Sequence, residues 1–210
     1  MLLVVYVLAH RTPLPTVNMV WEGDSQSAKG AGLVTTADAT VALVKEKSLR
    51  VATFAVGGSK VADLEARAGG VDHRVVKKLN TSNVLVVWAG TNDLGAGASA
   101  AKTKEKLVSY LTARRSAGWS IVLLTALPRT FAKDKAGYEA RRQEFNAALR
   151  ADWRAYANVL VDVGSDAVIG QQGDQDDGQY FLPDHLHLNS AGRERVAHLV
   201  APALATVGVE

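Results

Sequence analysis

The chain contains no cysteine among its 210 residues. That excludes a disulfide framework, a thiol nucleophile and zinc–thiolate sites; it leaves the compartment open, since cysteine-free proteins occur inside and outside cells. A strong charge is also missing: 24 Lys and Arg against 21 Asp and Glu leave a net charge of only +3. Basic pairs such as Lys77-Lys78, Arg114-Arg115 and Arg141-Arg142 are scattered along the chain. A nucleic-acid surface needs a clustered basic stripe with stacking aromatics, so these pairs read as solvated helix faces and no nucleic-acid partner is expected. Long apolar runs are lacking as well. Leu2 to Ala9 is apolar but far too short to span a bilayer. It also lacks the basic start and the small-residue cleavage site of a signal peptide before His10-Arg11. Residues 1–16 are therefore set apart as an N-terminal extension of unknown role, and 17–210 as one domain. No internal repeat, low-complexity tract or interdomain linker divides that domain.

What the sequence does have is the balance of an ordinary globular protein, 48% hydrophobic and 21% charged. Its length suffices to bury a core without disulfides or metals. Short runs rich in Val, Leu and Ile recur at Val17 to Trp21, Val51 to Val56, Val84 to Ala89, Ile121 to Ala126 and Val159 to Val163. Nearly continuous apolar character bounded by Gly, Pro, Asp or Asn is how strands buried on both faces of a parallel sheet read. Between them lie amphipathic helical stretches: Ala37 to Arg50, Ala101 to Ala117, Tyr138 to Tyr156, and Ser190 to Ala205 with Asn189 or Ser190 as its N-cap. Strand alternating with helix across one domain predicts an α/β sandwich with helices on both faces of the sheet. In such sheets ligands bind outside the carboxyl ends of the strands.

The residues with chemistry fall at those ends. Gly23-Asp24-Ser25 follows the first core strand, and its serine would carry an exposed hydroxyl beside a free backbone N–H, half of an oxyanion hole. Val56-Gly57-Gly58-Ser59 follows the second, where glycines let backbone approach a ligand closely. Gly90-Thr91-Asn92-Asp93 follows the third, with a carboxamide able to donate to a substrate oxygen. Asp184 and His187 are separated by two residues in a loop before the last helix, close enough for the carboxylate to set the tautomer of the imidazole. His185, between them, is the decoy. Each block alone has an ordinary explanation as a turn or a helix cap. Their placement at successive strand ends and in the last loop is what points to an activated serine nucleophile.

With these four blocks the chain resembles the SGNH hydrolases, also called GDSL-type esterases and lipases. Gly23-Asp24-Ser25 matches the first block, with Ser25 as nucleophile. Gly58 matches the glycine of the second, with Gly57 a close rival, and Asn92 matches the asparagine of the third. Asp184 and His187 match the final D-x-x-H. The resemblance implies a flavodoxin-like three-layer α/β/α sandwich with a five-stranded parallel sheet in the order 2-1-3-4-5. It also implies a Ser25–His187–Asp184 triad and an oxyanion hole made of the Ser25 N–H, the Gly58 N–H and the Asn92 side chain. Two departures stand out: Gln26 occupies the place of the leucine in the family's nickname, and Thr53 stands where an asparagine is common.

The expected activity is hydrolysis of carboxylic esters by acyl transfer, with no metal or organic cofactor. The polar loop from Gln171 to Gln179 suggests a hydrophilic cleft and short acyl groups, such as acetyl esters on carbohydrates. Lysophospholipase or thioesterase activity, or a non-catalytic carbohydrate-binding role on the same fold, are the alternatives. Asp174, Asp176 and Asp177 lack the spacing of an EF-hand calcium loop. An α/β-hydrolase elbow would need glycine where Ser27 stands. Oligomeric state is not expressed in any of these features.

Overall fold

The computed structural model describes residues 16–30, 33–45, 49–130 and 137–209; the N-terminal extension, up to residue 15, lies outside them. Five strands, β1 (Thr16–Gly23), β2 (Leu49–Thr53), β3 (Thr81–Trp88), β4 (Ser120–Leu124) and β5 (Val159–Val161), pair in parallel in the order β2-β1-β3-β4-β5. The connecting helices are α1 (Thr36–Leu43), α2 (Val61–Asp72), α3 (Thr91–Gly95), α4 (Ala100–Ala117), α5 (Gly137–Asp152) and α6 (Ser190–Leu204). This is the three-layer sandwich the sequence predicts. Among the described residues no helix is long and apolar enough to cross a membrane.

The apolar runs are continuous because both faces of the sheet are covered. Alternate residues point to opposite sides. Met19 and Trp21 of β1, Val84, Val86 and Trp88 of β3, and Val122 and Leu124 of β4 pack against Ala37 of α1 and Val196, Val200 and Leu204 of α6. Val20, Leu85, Val87, Ile121 and Leu123 face the other way, onto Leu64 of α2, Leu107 and Leu111 of α4, and Phe145 and Leu149 of α5.

Two expectations need correction. The helix predicted over Ala37 to Arg50 stops at Leu43, and Leu49 and Arg50 instead open β2, in register with Val17 and Asn18. Pairing with β1 outweighs the local helical periodicity there. Helix α2 was not foreseen, because Gly69-Gly70 depress its helix propensity. Its buried stripe of Val61, Leu64, Ala68 and Val71 nevertheless keeps the three-to-four spacing of one helix face. The strand order reverses between β1 and β3, so the carboxyl ends of these two strands form the crevice where this class of sheet binds ligands.

Candidate active site

At the end of β1 the chain turns tightly against β3. Gly23 has φ +149°, and a Cβ there would lie 2.1 Å from the Trp88 carbonyl oxygen, so only glycine fits. The turn that follows is closed by hydrogen bonds from the Ser27 and Ala28 N–H groups to the Asp24 carbonyl, at 3.1 and 3.0 Å. The Asp24 carboxylate accepts from Gln26 N–H at 3.0 Å. Burial pushes the Asp24 carboxyl above its usual range, and the charge of nearby Arg129 acts in the opposite direction. The turn leaves Ser25 partly exposed. Its N–H donates to no other group among the described residues.

The loop before α6 brings the His187 imidazole to this serine. Asp184 Oδ1 accepts the N–H groups of both Leu186 and His187, at 2.9 Å each, a compact turn that folds the carboxylate back on the imidazole. Its Oδ2 then lies 2.6 Å from His187 Nδ1. An ionised carboxylate can only accept, so Nδ1 carries the proton and Nε2 presents a lone pair. That Nε2 stands 2.9 Å from Ser25 Oγ. Burial acts to raise the Asp184 carboxyl, but the hydrogen bonds from the His187 ring and the two N–H groups, with the His187 charge, hold it below its usual range. Asn189 caps α6 by accepting from Gly192 N–H at 3.1 Å, which fixes where the loop ends. His185 adopts φ +55° and turns its ring to Asp176, 2.8 Å away, outside the triad.

The loop between β2 and α2 supplies the third side. Gly58 is in the left-handed region at φ +79°, and a Cβ on Gly57 would sit 3.8 Å from Ser25 Cβ, so the glycine pair passes directly beside the serine. The Gly58 N–H makes no hydrogen bond among the described residues. Asn92, at the start of α3, donates one amide hydrogen to the Ser59 carbonyl at 3.0 Å, leaving the other available. Gly90, with φ +107°, sends the chain into α3 with the Phe145 ring against it. All the site residues expected from the sequence, Ser25, Gly58, Asn92, Asp184 and His187, thus lie on elements that end at one rim of the sheet.

The supporting residues were not legible in the sequence. Arg67 of α2 donates to Glu22 at 2.6 Å, to the Gly23 carbonyl at 3.1 Å and to the Ser59 hydroxyl at 3.0 Å, joining the serine turn to the glycine loop. Asp93 accepts from Val61 N–H at 3.0 Å and anchors the start of α2. Gln26 reaches across to the histidine loop. The one available signal was Glu22, a carboxylate inside a core strand, which must find a partner. The acidic loop spends its carboxylates locally: Asp174 accepts from Gln171 N–H at 2.7 Å, Asp177 from Gln179 N–H at 2.8 Å, and Asp176 pairs with His185. Among the described residues no group of three or more His, Asp or Glu side chains is arranged to hold a metal ion.

No curated protein matches the chain. Among solved structures, TesA shares 22% identity at a TM-score of 0.66, covering 90% of this chain and 99% of TesA. A member of the lipolytic G-D-S-L family from Veillonella parvula shares 17% at 0.66, covering 92% and 98%. A variant of Axe2, an acetyl-xylooligosaccharide esterase from a Geobacillus, shares 17% at 0.63, covering 92% and 94%. These likenesses establish the fold. The model of the GDSL-like lipase/acylhydrolase family matches residues 23–195, from the glycine that opens the serine turn to beyond the histidine loop. The chain belongs to the GDSL-like lipase/acylhydrolase family and is a carboxylic ester hydrolase.

Proposed function

We propose that residues 17–210 form an esterase domain that removes short acyl groups, foremost acetyl groups from carbohydrates, with Ser25, His187 and Asp184 as its catalytic residues. The observation that carries this reading is the chain of contacts from Ser25 Oγ to His187 Nε2 at 2.9 Å and from His187 Nδ1 to Asp184 at 2.6 Å. As Ser25 Oγ attacks the ester carbonyl, His187 Nε2 takes its proton, and Asp184 stabilises the imidazolium that forms. The Ser25 N–H, the Gly58 N–H and the free amide hydrogen of Asn92 receive the oxyanion. His187 then gives the proton to the departing alcohol, leaving an acyl-Ser25. Water, deprotonated by the same nitrogen, attacks that ester and releases the acid.

Several features favour a small acyl group and a polar alcohol. Among the described residues, the exposed positions flanking Ser25 and His187 include the short or polar Gly57, Gly58 and Asp184, with Val56 the exposed large apolar side chain beside the glycines. The neighbouring 171–179 loop is polar. The similarity in fold to Axe2, described as acting on acetyl-xylooligosaccharides, is consistent with this reading.

The test is Ser25→Ala assayed with p-nitrophenyl acetate, where turnover should fall to background in a correctly folded protein. Undiminished turnover would overturn the assignment of the nucleophile. A panel of esters from acetate to palmitate, with acetylated xylo-oligosaccharides, tests the substrate class. Acetyl esters should give the highest kcat/KM, and a preference for palmitate would sink the carbohydrate reading.

A further inference from the structure

The first residue after the nucleophile is wholly buried and polar, an unusual combination. We propose that Gln26 is a positioning residue that sets the distance between Ser25 and His187; the proposal rests on the serine-nucleophile reading above.

Gln26 Nε2 donates to the Leu186 carbonyl at 3.0 Å, and its Oε1 accepts from Leu188 N–H at a long 3.4 Å. Leu186 and Leu188 are the residues on either side of His187. One carboxamide therefore holds the main chain on both flanks of the base while its own backbone is covalently next to Ser25. Its backbone is held in turn: the N–H by Asp24 at 3.0 Å and the carbonyl by the hydroxyl of Thr36, at the start of α1, also at 3.0 Å. The two catalytic loops are separated by about the whole domain in sequence, and Gln26 links them without passing through the Ser25–His187 contact itself.

The choice of side chain follows from this geometry. A carboxamide offers a donor and an acceptor at one end, as needed to meet a carbonyl and an N–H on the same strand of backbone. An apolar side chain of similar size, such as the leucine of the family's nickname, fills the volume and makes neither bond. The His187 ring is already oriented by Asp184, but Asp184 belongs to the same loop and moves with it. Gln26 bonds that loop directly to the turn that carries the serine. A drift of about 1 Å between nucleophile and base can cost roughly 10² in rate.

The experiment compares Gln26→Leu with the native protein in kcat, KM and the rate of labelling by a fluorophosphonate, alongside thermal unfolding. Positioning predicts that kcat falls roughly ten- to a hundredfold with KM little changed, and that labelling slows in proportion, since it reports activation of Ser25 without any ester substrate. A folded Gln26→Leu protein with native kcat and native labelling overturns the proposal, as does lost turnover with native labelling. Should Gln26→Leu not fold, Gln26→Met, close to glutamine in length and lacking both hydrogen bonds, is measured in the same way and read by the same outcomes. The underlying assignment is judged separately: activity that survives Ser25→Ala removes the nucleophile, whereas a Ser25-dependent enzyme indifferent to Gln26→Leu refutes the positioning role alone.

Discussion

In the mechanism proposed above, the two amide hydrogens of Asn92 have separate tasks. One is bound to the Ser59 carbonyl, which holds the side chain in place before any substrate arrives. The other is free to meet the oxyanion, which develops only as the carbonyl carbon becomes tetrahedral. A donor that acts only then contributes to kcat more than to KM. Asn92→Ala should therefore lower kcat by roughly 10²–10³ with KM nearly unchanged, measured by steady-state kinetics on p-nitrophenyl acetate. A raised KM with kcat unchanged would show that the residue binds the ground state and the transition state alike. Asn92, Asp184 and His187 could be picked out in the sequence because each stands in a short motif at a strand end or before a helix. Arg67 could not, and Gln26 stood out only as a departure from the family's leucine, with no role attached. Apart from the Arg67–Ser59 bond, the contacts that tie them to the site run 44 to 162 residues along the chain, with no local pattern to announce them.

Helix α2 shows what an element adds to the site. Its first turn follows the glycine loop, its N-terminus is held by Asp93, and Arg67, two turns in, ties together Glu22, Gly23 and Ser59. The helix thus holds the glycine loop proposed as one wall of the oxyanion hole, in addition to covering the sheet. Arg67→Met keeps most of the stem and removes the hydrogen bonds. It should cost about 1–3 kcal/mol of stability, since buried acceptors lose their donors, and kcat should fall as the Ser59 segment loosens. Urea unfolding and kinetics on the same preparation check both effects; a stability loss with native kcat would make Arg67 purely structural. The strands show the complementary lesson. Their continuous apolar runs revealed a sheet covered on both faces, whereas the start of β2 was hidden in a helical pattern because its partner, β1, is remote in sequence.

For the molecule as a whole, the buried Glu22 writes a pH dependence into stability. Burial, which outweighs the attraction of Arg67, raises its carboxyl from 4.5 to about 7. The folded protein then binds more protons than the unfolded chain between those values, so stability falls as pH rises through that window. Asp162, Asp166 and Asp184 act oppositely: burial tends to raise them, but hydrogen bonds from Arg150, Arg195 and His187 hold them low, so their contribution is lost only as pH falls below the usual carboxylate range. Glu22→Gln should flatten the decline of Tm between pH 4.5 and about 7, followed by thermal unfolding across that range; an unchanged slope would assign the dependence to other groups. The sequence by itself determined the class of fold and marked out the residues proposed to react. Continuous apolar runs and strand-end motifs are local consequences of chemistry, readable wherever they occur. Only the tertiary structure decided that Ser25 Oγ and His187 Nε2 stand 2.9 Å apart, and which residues hold them there. That distance is set by the twist and stacking of a sheet whose catalytic loops are distant in the chain, and by buried polar contacts that exist only once it has closed.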